Sequence, residues 1–69
     1  MRVDVTQADG ETKSVEVKPG ANVKDALDKA GAAVPEDHKV FLDGKEVDLN
    51  AKVQQQSVVV VQPEVSGGQ

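Results

Sequence analysis

The chain has 69 residues, a net charge of −4, no cysteine, and Phe41 as its one aromatic. A chain this short buries only about 60% of its unfolded surface, so one compact core is expected and a deep catalytic cleft is not. Disulfides and thiolate metal sites are excluded, base stacking has almost nothing to work with, and the acidic balance opposes binding to nucleic acid or an anionic membrane.

The elements follow in chain order. In "RVDVTQ", Val3 and Val5 alternate with polar residues, the period-2 pattern of a half-buried strand. Asp9-Gly10 is a hairpin turn signal. "KSVEVK" then alternates again through Val15 and Val17, and Pro19-Gly20 ends this second strand.

"NVKDALDKAG" reads as a helix over residues 22–30. Asn22 is a good N-cap because its side-chain oxygen accepts an orphan backbone N–H. Asp25, three residues on, makes an imperfect capping box and suits the positive helix end. Val23, Ala26, Leu27 and Ala30 form one apolar stripe, with Leu27 expected to be the most buried. Asp25 and Lys29 stand i, i+4 in the favourable order for a surface ion pair. Gly31 is placed to be a left-handed C-cap, and Pro35 prevents continuation.

"HKVFL" is a third strand. Asp43-Gly44 turns it into a short fourth, "KEVDL", and "SVVVVQ" is a fifth. Side chains alternate along a strand, so four consecutive valines cannot all enter one core. That strand is expected to be central, with its outer face apolar as well. Its run at residues 58–61 is far short of the roughly 20 residues of a membrane-spanning helix. The N-terminal residues lack the apolar stretch of a secretion signal, and a cytoplasmic protein is expected. After Pro63 the pattern is lost, and residues 64–69 read as a mobile tail.

Two strands, a helix and three strands, with the helix covering one sheet face, make an α+β domain over residues 1–63. The first and fifth strands would pair in parallel at the centre, the β-grasp arrangement.

The chain resembles the ubiquitin-like β-grasp superfamily, and within it the bacterial and archaeal sulfur carriers and small protein modifiers. "FLDGKEVDL" is similar to the turn between the third and fourth strands of ubiquitin. "VVVVQPEVSGG" is similar to the end of the sulfur carriers: an apolar strand, a proline, a short spacer and Gly-Gly. The topology likeness covers residues 1–63, and the residue likeness is specific only in the last dozen positions. Two departures stand out. "VQQQSV" replaces the Gly-Asp turn usual before the last strand, and Gln69 follows the diglycine with which a mature carrier ends.

The resemblance implies a chain that is acted upon. Gly67 and Gly68 would enter the channel of an E1-like adenylating enzyme that uses ATP, where any Cβ would obstruct close approach of the backbone. A processing peptidase or hydrolase would first remove Gln69. An acceptor protein or a sulfur-pathway enzyme would then receive the activated end. Ending in Gly-Gly-Gln also resembles the prokaryotic ubiquitin-like protein, whose terminal glutamine is deamidated and ligated through its side chain, but that likeness stops at three residues. The plain alternative is slack, since glycine and serine are common at frayed ends.

Phe41 has two readings. A lone Phe is ordinarily core, but Val40 and Leu42 have the opposite parity. By the resemblance, Phe41 falls where ubiquitin has the isoleucine of its exposed binding patch. The patch reading is preferred, with Val59 or Val61 of the fifth strand joining Phe41 on the open face. His38 has no second ligand at useful spacing and reads as a surface histidine. "EDH" at residues 36–38 reads as a loop start rather than an acid–base group. Gly44-Lys45 lacks the other residues of a P-loop and reads as a turn. With no nucleophile–base pair and no metal cluster visible, an enzyme is not expected, nor any cofactor. The rival to a carrier or modifier is a β-grasp interaction module, with an inert tail, that binds a partner through its open face or an edge strand.

Overall fold

A computed structural model describes residues 1–63; the expectations for residues 64–69 lie outside the described residues. The elements are β1 (Arg2–Thr6), β2 (Thr12–Glu16), α1 (Val23–Ala30), β3 (His38–Leu42), β4 (Lys45–Val47) and β5 (Ser57–Pro63). They form one mixed sheet in the order β2-β1-β5-β3-β4, with the helix across one face.

β1 and β5 pair in parallel at the centre, Val3 against Ser57 and Val5 against Val59. All other pairings are antiparallel. A parallel pair cannot be closed by a hairpin, so helix and outer hairpin must lie between its strands in sequence.

Local chemistry sets the connections. Asp43 and Gly44 have φ of 52° and 86°, the positive pair of a two-residue hairpin whose twist matches its strands. The β1–β2 turn is longer than its Asp-Gly signal implies. The Gln7 amide donates to the Glu11 carbonyl at 2.8 Å, and Gly10 takes the left-handed position at φ 93°.

The helix starts where the sequence predicts. The Asn22 side chain accepts from the Asp25 amide at 2.9 Å, and the Asp25 carboxylate accepts from the Asn22 amide at 3.1 Å. The capping box is therefore complete, with Asp standing in for the usual Glu. This pulls Asp25 back toward the helix start, and the ion pair on the helix is Lys24–Asp28 at 3.3 Å rather than the expected Asp25–Lys29. Gly31 ends the helix in the left-handed conformation.

The core is valine, alanine and a single leucine. Val3, Val5, Val59 and Val61 from the centre of the sheet meet Val23, Ala26, Leu27 and Ala30 from the helix. Leu27 is buried, but Val23 and Ala26 are sealed more completely: 0% exposed against 3% for Leu27. The stripe is right, and its deepest point lies at Val23 and Ala26. Among the described residues the one buried polar residue, Ser57, is satisfied by the Gln54 amide, which donates to its hydroxyl at 2.9 Å.

Candidate functional site: the open face of the sheet

Among the described residues nothing covers the sheet face away from the helix, and β5 runs through its middle. Burial along β5 alternates from Ser57, with Val59 and Val61 fully inside and Val58 and Val60 on the other side. This corrects the expected patch. Val59 and Val61 belong to the core because β1 holds Val59 beside Val5, and β3 holds Val61 beside Val40. The outward pair is Val58 and Val60.

Phe41 lies on the open face as expected. It stands directly opposite Val60 on β5 and Glu46 on β4, while its neighbour Val40 is buried. Phe41 and Val60 are half-buried and Val58 is 38% exposed. Three apolar side chains on adjacent strands thus make a small patch.

Polar side chains frame it on both sides. Lys39 and Glu46 pair at 3.4 Å on the β3–β4 side. On the β1–β2 side the Ser14 hydroxyl donates to the Asp4 carboxylate at 2.6 Å, and the Arg2 guanidinium lies 3.6 Å from the same oxygen. The Thr6 and Thr12 hydroxyls are 2.9 Å apart further along. Most of the rim is therefore tied up within the molecule, which leaves the apolar centre as the part open to a partner.

Asp43 is the residue that sequence reasoning missed. Its amide donates to the Val58 carbonyl at 2.8 Å, and its carboxylate accepts from the Val58 amide at 2.9 Å. The tip of the β3–β4 hairpin is thereby clamped to the start of β5, fixing Val58 beside the strand that carries Phe41. The available signal was an acidic residue at the first position of a turn that needs positive φ. Asp tolerates that conformation and can also reach a backbone amide.

The other sequence candidates fall into place as structure. The His38 ring nitrogen Nδ1 is 3.0 Å from the Glu36 carbonyl, which makes "EDH" a loop device. Gly44-Lys45 is the hairpin turn and the first residue of β4. Among the described residues no group of three or more His, Cys, Asp or Glu side chains is placed to hold a metal, and no helix is long and apolar enough to cross a membrane. Gly67, Gly68 and Gln69 lie outside the described residues.

No protein-family model matches the chain, and neither does any curated protein. Among solved structures the chain is similar to SAMP1 from Haloferax volcanii, with a TM-score of 0.78 over 99% of this chain and 100% of that one, at 20% sequence identity. At that identity the likeness concerns the backbone. With the strand order and the single covering helix, it gives residues 1–63 the β-grasp fold of ubiquitin-like proteins.

Proposed function

We propose that this chain is a ubiquitin-like sulfur carrier or protein modifier, a substrate of other enzymes with no catalytic group of its own. What supports the reading is the joining of two features: a β-grasp body, and a Gly67-Gly68 pair four and five residues past the proline that ends its central strand. SAMP1, which shares the fold, is a ubiquitin-like small archaeal modifier protein.

The chemistry runs through Gly68. A peptidase or hydrolase cleaves the Gly68–Gln69 bond and frees the Gly68 carboxylate. In a cytoplasmic E1-like enzyme that carboxylate attacks the α-phosphorus of ATP and expels pyrophosphate, giving an acyl adenylate. Sulfide then attacks the acyl carbon and displaces AMP to leave a thiocarboxylate, or a lysine amine attacks the same carbon, displacing AMP and losing a proton, to give an isopeptide bond. Glycine at both positions lets the backbone lie close against the enzyme.

The body supplies the docking surface. Phe41, Val58 and Val60 form the apolar centre that the E1-like enzyme or an acceptor would cover, and Val60 stands on the strand that leads to the tail. Gly68 is eight residues further on, a covalent reach of at most about 29 Å. An enzyme that grips this face must hold its nucleotide within that span.

The same face also supports an interaction module whose tail takes no part. Intact-mass measurement of the protein recovered from the cells that make it separates the two. A chain ending at Gly68, as carboxylate, thiocarboxylate or conjugate, is expected. A full-length, unmodified chain throughout would favour the module, and a deamidated Gln69 ligated through its side chain would move the chemistry off Gly68.

A further inference from the structure

The ladder between β3 and β5 stops one residue short of Val58. Its register sets Phe41 against Val60 and Leu42 against Val59, so Asp43 and Val58 stand where the next pair would be. Asp43, however, already belongs to the hairpin turn, at φ 52°. Its amide still donates to the Val58 carbonyl at 2.8 Å, as a ladder residue would. The return bond is different. The Val58 amide donates to the Asp43 carboxylate at 2.9 Å, where a regular antiparallel pair would use the backbone carbonyl. A side chain therefore supplies the final rung of this ladder.

That rung holds one end of the apolar patch. Both backbone groups of Val58 are turned toward the β3 side, where β1 cannot reach them. Just before Val58 the chain leaves a loop in which Gln56 has φ 65°. The hold of the sheet on Val58 thus depends on Asp43. The Asp43 side chain is itself exposed, and among the described residues it has no ion-pair partner. Turn geometry alone does not call for it, since glycine or asparagine would suit the same φ. What glycine would lack is the acceptor for Val58.

We propose that Asp43 is a positioning residue for docking: its carboxylate holds Val58 in line with Phe41 and Val60, so that the E1-like enzyme meets an open face already assembled. Asp43 acts through Val58 and not by touching the enzyme. The inference rests on the activation at Gly68 proposed above. A surface ordered before the encounter binds at lower cost, so the effect belongs to affinity and not to the chemistry of the tail.

The test compares three chains truncated after Gly68: otherwise unchanged, Asp43→Gly and Asp43→Asn. Glycine keeps the backbone amide, accepts the positive φ and removes only the carboxylate. Asparagine keeps an oxygen that can accept from the Val58 amide. In the free protein, hydrogen exchange at the Val58 amide should be about three- to tenfold faster with Asp43→Gly, with Val5 and Val59 unaffected. In ATP–pyrophosphate exchange by the cognate E1-like enzyme, Asp43→Gly should raise KM for the chain about three- to tenfold and leave kcat unchanged. Asp43→Asn should restore both the protection of Val58 and the KM. If the unchanged chain supports no exchange, activation at Gly68 fails and this inference falls with it. If the unchanged chain is active, three results overturn the inference alone: Asp43→Gly with its KM or its Val58 protection unaltered, a loss confined to kcat, or Asp43→Asn as impaired as Asp43→Gly. The last would put the Asp43 charge in direct contact with the enzyme.

Discussion

At the scale of single residues, the contrast between Phe41 and Val59 separates surface from core on adjacent strands. Phe41 is half-buried over a polar rim, whereas Val59 is sealed. Phe41→Ala should cost stability no more than about 1 kcal/mol, yet weaken binding to an E1-like enzyme by about 2 kcal/mol or more if it anchors that contact. Val59→Ala should cost about 2–3 kcal/mol of stability. Urea denaturation of both variants with calorimetric binding of the first checks the pair, and a Phe41→Ala chain that unfolds would place Phe41 in the core. The parity of Phe41 was legible through the likeness to ubiquitin and not from the local pattern, since polar His38 and Lys39 stand on opposite faces of β3. That of the four valines was not, since an apolar run carries no alternation and the residue that sets the register inward, Ser57, is polar. Reading Ser57 as buried required knowing that the Gln54 amide would satisfy it.

At the scale of the element, the helix was the most legible part of the chain. Asn22, Asp25 and Gly31 mark both of its ends, and its stripe has the right period. Asn22→Ala should cost about 1 kcal/mol, because the Asp25 amide loses its acceptor and the box opens. Leu27→Ala should cost about 2–5 kcal/mol, since Leu27 is the largest side chain of a buried set otherwise made of valine and alanine. A loss below about 1 kcal/mol in a denaturant titration would mean that the helix does not rest on this stripe. The surface ion pair was misread for a physical reason. Asp25 can serve Lys29 or the helix cap, and the cap offers an otherwise unsatisfied amide. The clamp from Asp43 to Val58 was invisible for a different one, because it joins residues 15 apart through a strand order that no local pattern encodes.

At the scale of the whole molecule, one small core holds a two-sided sheet, and the side that no described residue covers carries Phe41, Val58 and Val60. An outward apolar strand is a hazard unless a partner covers it, and the docking role proposed for this face would give it that cover. The parallel pairing of β1 and β5 at the centre followed from counting elements and asking what one helix can cover. The central claim concerns the end of the chain, and the most direct measurement is ATP–pyrophosphate exchange by the cognate E1-like enzyme. Three chains are compared: full-length, truncated after Gly68, and truncated with Gly68→Ala. The truncated chain should support exchange. The full-length chain should not, because its carboxylate lies one residue further along and carries a side chain, and Gly68→Ala should lower the rate sharply with the fold unchanged. Equal exchange by all three, or none by the truncated chain, would contradict activation at Gly68.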